Sequence, residues 1–409
     1  MTSAHADPYA PDGAYAWFRL AISILLSTLG GSGIWAVVVV LPAVQADFGV
    51  DRADASISYT FTMLGFAAGN VFVGRLVDRW GIFWPVIGSA AALSAGFALA
   101  GLSSGIWTFS LAQGVLIGAG TGATFGPLIA DLSHWFNKRR GIAVAAAACG
   151  NYLAGALWPS FIKWSLGSND WRTTYFMIAA ICIVGMLPLA LMLRRPAPES
   201  AKSSDMPASG KFGTLSTGLS PRALQILLIC AGLGCCVAMS MPQVHIVSYC
   251  VDLGYGVARG ADMLAIMVGG GVVSRLLSGF LADAIGGVKT LLISSVAQCL
   301  ALFLFLPFDG LASLYLVSLI FGLSQGGIVP SYAIIVREYL PAREAGQRVG
   351  LVIMATILGM ALGGWLSGWI YDLTGSYQAA FLNGIAWNIM NISIMTFILF
   401  KGRARTAVA

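Results

Sequence analysis

Twelve mostly apolar stretches, each long enough to cross a bilayer, run along the chain at roughly 18–42, 54–76, 83–103, 106–133, 141–166, 172–193, 222–250, 258–282, 288–307, 311–338, 347–371 and 378–400. A transmembrane helix needs about 20 such residues. Only helices and closed barrels satisfy their backbone groups in hydrocarbon. A barrel strand would alternate apolar and polar residues, and these runs do not. The expected fold is therefore all-α, with twelve transmembrane helices. Composition removes the soluble alternative, since 58% of the 409 residues are hydrophobic and 10% charged. A soluble domain carries about 25% charged residues. The fifty glycines suit close helix packing in a membrane.

Twelve spans put both termini on one side. Eighteen of the 23 Lys and Arg residues fall in loops or tails on that side, among them Arg75, Arg79, Lys138, Arg139 and Arg140. The opposite side has four, Arg52, Lys163, Arg172 and Arg259, while Arg275 lies inside a span. The positive-inside rule places both termini in the cytoplasm. The net charge of +6 follows from this topology and calls for no nucleic-acid partner. The first sixteen residues are polar and carry Pro and Gly, and the first span is too long for a signal segment, so no cleavable leader is expected. The seven cysteines lie within spans or at their ends, a pattern of neither a disulfide framework nor a metal cage.

The longest polar stretch, 194–221, is rich in Ser, Pro, Gly and charge and reads as a linker. It divides the chain into 1–193 and 222–409, six spans each. The halves repeat. Gly74-Arg75-Leu76-Val77-Asp78-Arg79-Trp80-Gly81 follows span two, and Gly279-Phe280-Leu281-Ala282-Asp283-Ala284-Ile285-Gly286 follows span eight. Gly, Leu, Asp and Gly recur 205 residues apart, and related residues, Gly368, Asp372 and Gly375, close span eleven. Two related six-helix bundles are a transporter plan, with substrate held between them near the midplane.

The first of these loops resembles the signature of the major facilitator superfamily. Two further stretches resemble its monocarboxylate transporter branch and that branch's relatives, the oxalate/formate antiporters. They are Asp12-Gly13-Ala14-Tyr15-Ala16-Trp17 and Trp135-Phe136-Asn137-Lys138-Arg139-Arg140-Gly141, with Tyr15 and Gly141 as variants. The resemblance covers residues 12–400 and implies two pseudo-symmetric six-helix bundles. It also implies that Asp78, Arg79 and Asp283 latch the cytoplasmic side shut; helix capping at short turns is the plainer reading.

Glycines at four-residue steps mark several spans: Gly114, Gly118, Gly122 and Gly126; Gly322 and Gly326; Gly359 and Gly363; Gly65 and Gly69. Such steps lie on one helix face and let backbones approach. Static packing and sliding during transport both fit. Pro42, Pro127, Pro159, Pro242 and Pro330 mark expected kinks or helix ends.

Arg275 lies in GGGVVSRLLSG, two-thirds of the way along span eight. A charge there costs about 2.5–3.5 kcal/mol to insert. Gly271 and Gly279 flank it one turn away on the same face. Asp131, Asp262 and Glu338 sit near span ends, so no mid-span carboxylate is available to it. The expected partner is a diffusible carboxylate, which a guanidinium grips with two parallel hydrogen bonds. The resemblance agrees, because monocarboxylate transporters carry a functional Arg in the eighth span. This chain departs from that pattern in having Gly271 where an Asp is usual and no Lys in Gly33–Val37. Val352–Gly364 also lacks the second cation of the oxalate exchanger. One central cation favours a monoanion over a dianion.

His245 is the only histidine inside a span, and it ionises near neutrality when unperturbed. Substrate contact, proton relay and a simply satisfied interfacial role all fit; bacterial members of the branch carry a similar His. Gln243 is near enough in sequence to orient it. Tyr332, Tyr152, Asn151 and Phe125 are candidate cavity residues, although each type is often packing.

The expectation is a secondary transporter of a small monocarboxylate, lactate- or pyruvate-like, coupled to a proton or to a counter-anion. An organic-anion exchanger and a carrier of an amino-acid-like or xenobiotic cargo are the alternatives. A zwitterion would want a buried acid for its amine. A membrane enzyme would need a nucleophile–base set or metal ligands inside the spans, and His134 and His245 lie on opposite sides. A sensor would add a soluble domain. No G-x-x-x-x-G-K-[ST] loop occurs. No cofactor or metal is expected, and the protein reads as a monomer in the lipid bilayer of a bacterial inner membrane.

Overall fold

Each apolar stretch becomes a helix because lipid offers its backbone no other hydrogen-bond partners. The computed structural model describes residues 11–132, 134–136, 139–195, 218–340 and 344–406. Twelve helical spans in it are long and apolar enough to cross a membrane. Spans one to six are Ala14–Phe48, Arg52–Trp80, Phe83–Gly101, Ile106–Leu132, Arg140–Leu166 and Trp171–Met192. Spans seven to twelve are Pro221–Asp252, Gly256–Ile285, Gly287–Leu304, Leu311–Tyr339, Ala345–Thr374 and Tyr377–Thr406. All twelve expected stretches are present, and several run a turn longer because a helix closes its own hydrogen bonds past the hydrocarbon edge. No strand occurs among the described residues. The outward faces are apolar: Phe280 is 76% exposed and Val184 71%. This is an integral membrane protein.

Span ends are closed locally. The Asp170 carboxylate accepts from the Thr173 N–H at 2.8 Å at the start of span six. Hydrogen bonds from Thr173 hold this carboxyl below the ordinary aspartate range. Ser220 caps span seven ahead of Pro221, a favoured pairing. Glu338 accepts from the Gly287 N–H at 3.1 and 3.2 Å, capping span nine. Gly375, at φ +65°, ends span eleven in the left-handed region that glycine tolerates.

Three spans are discontinuous among the described residues: span one breaks at Gly31, between Ala14–Gly30 and Ser32–Phe48, and spans four and ten break as well. Span four runs as helix Ile106–Ala112, a π-helical stretch Gln113–Gly118, a short turn Ala119–Ala123, a break at Thr124–Phe125, and helix Gly126–Leu132. Span ten breaks at Gly326–Gly327 between Leu311–Gln325 and Ile328–Tyr339. Pro127 and Pro330 stand in the first turn after the breaks of spans four and ten, where a missing N–H costs nothing. Pro42, Pro159 and Pro242 instead lie inside helices.

The glycine steps are where backbones touch. A Cβ at Gly65 or Gly69 would strike the backbone of Gly114 or Ala119, and one at Gly322 or Gly326 that of Met267 or Gly271. Contacts gather the chain into two units, Met1–Val37 with Leu64–Ala208 and Val38–Met63 with Ser209–Ala409. Residues 38–63 therefore group with the second unit. Most of the expected linker lies outside the described residues.

Candidate functional site

The break in span ten frees backbone groups, and span eight takes them up. Arg275 is half-buried, and its Nε–H donates to the Gly326 carbonyl at 3.4 Å. The Gly326 N–H donates to Ser274 Oγ at 3.2 Å. Gly271, expected to leave room beside Arg275, has Gly326 of span ten packed against its carbonyl, whereas Gly279 faces open space. The arginine thus packs against the backbone of span ten, and the open space lies at Gly279 one turn away.

His245 belongs to another cluster of the second unit. It is fully buried, with Nε2 2.8 Å from the Gly364 carbonyl and Nδ1 3.2 Å from the Tyr377 hydroxyl. A carbonyl only accepts, so Nε2 carries the hydrogen. In the neutral ring Nδ1 is then the acceptor, and the Tyr377 O–H donates to it. The Tyr377 oxygen in turn accepts from Arg52 Nη1 at 2.5 Å. The bonds therefore run one way, from Arg52 through Tyr377 and His245 to Gly364.

Arg52 is the hub of this cluster. It grips Asp252 with two bonds of 2.8 and 3.2 Å, donates from Nε to Gln45 at 2.8 Å, and lies 4.5 Å over the Tyr371 ring. Asp372 accepts from the backbone N–H groups of Arg52 and Ala53 at 3.0 and 2.6 Å. A carboxylate there suits the positive end of a helix. Small residues let span eleven come this close: Gly368 abuts Ser56 and the Arg52 carbonyl, and Gly364 abuts the Tyr59 ring. Counting charge by loop made Arg52 only a loop cation. The repeat that flagged Asp372 was the available signal.

The two principal candidates of the second unit are not brought together. Gln243 donates to Gln325 rather than orienting His245, and Gln325 donates to the Met267 carbonyl at 3.3 Å. His245 is therefore level with about Met267, and Arg275 lies further along span eight by about 12 Å of helical rise. Tyr332 is enclosed, its hydroxyl donating to Asn391 Oδ1 at 2.8 Å, and Asn391 donates to Ser295 at 2.8 Å.

The first unit holds the other candidates. Phe125 stands at the break of span four with its ring 5.8 Å from that of Phe66. Asn151 and Tyr152 are half-buried on span five. The Asn151 carbonyl accepts from Trp35 Nε1 at 3.1 Å, and its buried side-chain oxygen has no hydrogen-bond partner. Arg79 and Asp283 are exposed at their span ends, while the Asp78 side chain lies outside the described residues.

The two branch-like stretches clasp one another. The Asp12 N–H donates to the Trp135 carbonyl at 2.9 Å, and Asp12 Oδ1 accepts from the Arg139 N–H at 3.2 Å. Tyr15 packs on Trp135 and Trp17 on Phe136, with ring centroids 5.0 and 5.1 Å apart. Beneath them buried Arg19 grips Asp131 at 2.7 and 3.0 Å, lies 4.8 Å over Trp135, and donates to the carbonyls of Leu193 and Arg195 at 3.3 and 3.1 Å.

Known proteins carry the same plan. The family profile of the Major Facilitator Superfamily matches residues 20–277 and 260–408. The chain is 26% identical over 388 residues to Monocarboxylate transporter 13 of Rattus norvegicus, covering 91% of this chain and 86% of that protein. It is 27% identical over 404 residues to Monocarboxylate transporter 11 of Homo sapiens, covering 93% and 82%. The MFS-type transporter pynF of Aspergillus niger is 23% identical over 331 residues, covering 81% and 75%. In fold the chain is similar to a mutant form of the nucleoside transporter NupG, with TM-score 0.75, 15% identity and coverage of 93% and 99%. The D-xylose-proton symporter gives TM-score 0.74, 13% identity and coverage of 94% and 97%. With twelve spans and a profile match over nearly its whole length, the chain belongs to the Major Facilitator Superfamily, is akin to its monocarboxylate transporter branch, and is a transporter rather than an enzyme.

Proposed function

We propose that the protein is a secondary transporter of a small monocarboxylate, lactate- or pyruvate-like, with Arg275 as the anion anchor. The observation that carries this reading is the seating of Arg275 against the broken backbone of span ten. Interrupted helices at corresponding positions of two halves point to a transporter's binding site, and span four is interrupted in the same region. A guanidinium on such a framework can present a fork of donors to one carboxylate, and Gly279, one turn away, has open space at its Cβ position. The similarity to monocarboxylate transporters 11 and 13 supports a cargo of that class.

In this reading His245 is the proton-coupling group. Asn151, Tyr152, Phe125 and Tyr332 contribute to the substrate path as the bundles 1–193 and 222–409 rock in alternation. Asp78, Arg79 and Asp283 close the cytoplasmic side. The basic loops support an orientation with both termini cytoplasmic; a bacterial inner membrane and a monomeric working unit complete the proposal. Exchange of one organic anion for another is the alternative, favoured by Gly271 standing where the branch has an Asp.

The test is uptake of labelled lactate, pyruvate, acetate, oxalate and a neutral amino acid into proteoliposomes, with and without an inward proton gradient. Saturable, gradient-driven uptake of one monocarboxylate, lost in Arg275→Ala, is the expected result. Uptake that persists in the mutant overturns the anchor. Uptake accelerated only by an internal anion would replace symport with exchange.

A further inference from the structure

The cluster around Arg52 joins spans one, two, seven, eleven and twelve at the end opposite the termini, and only one of its members, His245, entered the function above. Its hydrogen bonds have a fixed direction. Arg52 donates to the Tyr377 oxygen, the Tyr377 O–H donates to His245 Nδ1, and Nε2–H donates to Gly364. This order holds only while the imidazole is neutral. A proton arriving at Nδ1 turns that nitrogen into a donor. The Tyr377 hydrogen must then rotate away, and one oxygen faces both an imidazolium N–H and a guanidinium N–H. Two cations would share one hydroxyl.

We infer that Tyr377 is the positioning residue through which a proton on His245 loosens Arg52 and so releases residues 38–63 from the rest of the second unit. This rests on the reading of His245 as the proton-coupling group. The titratable groups around it come from every neighbouring element. Arg52 comes from span two, Asp252 and Tyr249 from its own span, Tyr371 and Asp372 from span eleven, and Tyr377 from span twelve. Arg52 is a main point of attachment. Its Asp252 pair and the Asp372 cap tie the start of span two to spans seven and eleven, while its Gln45 bond stays within residues 38–63. Losing the Tyr377 bond frees one side of the guanidinium and sets a like charge beside it. In the orientation proposed above this is the outer end, so the proton would enter from the side that it opens.

Two measurements test this. The first is hydrogen exchange of peptides covering 49–63 and 364–377 in substrate-free, nanodisc-embedded protein at pH 5.5 and 7.5, corrected for intrinsic exchange. Protection in the wild type is expected to fall at least tenfold on acidification. In Tyr377→Phe, which keeps the ring and loses the hydroxyl, it is expected to change less than twofold. The second is uptake of lactate. Tyr377→Phe is expected to retain exchange between equal lactate pools and to lose the acceleration by an inward proton gradient.

A wild-type pH response that persists in Tyr377→Phe overturns the inference, as does a wild type whose protection ignores pH. His245→Gln separates the two levels. If it abolishes gradient-driven uptake while Tyr377→Phe does not, the link through Tyr377 is wrong and the role of His245 stands. If gradient-driven uptake survives His245→Gln, the underlying reading fails. Should Tyr377→Phe fold poorly by thermal melt, Arg52→Lys keeps the charge, removes the fork, and is expected to lower protection at both pH values.

Discussion

Asn70 and Arg275 occupy the same place in their two halves. They stand 205 residues apart, the spacing that relates Gly74 to Gly279. Asn70 Oδ1 accepts from the Gly126 N–H at 3.0 Å, just past the break in span four. Arg275 Nε–H donates to the Gly326 carbonyl at the break in span ten. In both halves a polar side chain on the second span of the repeat braces the interrupted fourth. One half has a neutral amide there and the other a cation, and in the function proposed above that asymmetry would give an otherwise repeated scaffold a single sign of charge for its cargo.

Arg275→Lys keeps the charge but replaces a planar fork with a point donor. A hydrogen bond to a charged group contributes about 1.5–3 kcal/mol. The expected outcome is a fall in uptake kcat/KM of about tenfold to a hundredfold, with the protein still folded by thermal melt. Uptake equal to wild type would mean that no two-pronged grip is made.

Gly326→Ala and Gly279→Ala make a matched pair. A Cβ at Gly326 meets the Gly271 carbonyl and the Arg275 amide, while one at Gly279 meets nothing within 4 Å. Overpacking costs about 1–3 kcal/mol, so Gly326→Ala is expected to lower the melting temperature and to impair uptake by displacing Arg275. Gly279→Ala is expected to melt like wild type. Equal melting of the two would show that spans eight and ten yield easily.

Arg19→Leu leaves Asp131 buried without its cation. Breaking such a pair from one side costs about 3–5 kcal/mol. The double variant Arg19→Leu with Asp131→Leu is expected to recover part of that loss. A double variant that melts no higher than the single one would assign the loss to the Trp135 and backbone contacts of Arg19.

Asp170 offers a pH test outside the membrane. Its carboxyl is held below the ordinary value of 3.8 by hydrogen bonds from Thr173. A lowered folded value means that its contribution is complete above that ordinary value and is lost as pH falls through the folded one. Replacing an N-cap by Ala costs about 1 kcal/mol. Asp170→Ala is expected to melt a few degrees lower at pH 7 and to converge on wild type toward pH 3. A gap that is constant with pH would point to Thr173 packing instead.

The spans were legible because apolar length and loop charge are local properties of the chain. So was the repeat, although four shared identities did not extend to Asn70 and Arg275, whose residue types differ. Partnerships were not legible. Arg52 looked like a loop cation because its carboxylate lies on span seven, and Gln243 looked like a neighbour of His245 because sequence proximity hides the pull of Gln325. Nothing near Tyr332 in the chain announced that Asn391 would accept from its hydroxyl. Each depends on which distant helix comes alongside, and that is set by glycine faces matching across spans.

The buried pair of Arg19 and Asp131 also bears on how the protein is made. Its partners are 112 residues apart in the chain, and ribosomes add about 5–20 residues per second. Arg19 therefore reaches the membrane on the order of ten seconds before its carboxylate exists. Until then the start of the first span has no internal reason to settle, and the cation has to be held at the lipid surface or by the insertion machinery. The fourth span supplies the counter-charge and, a few residues later, the aromatic clasp, so the start of span one gains its buried ion pair only after span four has been made.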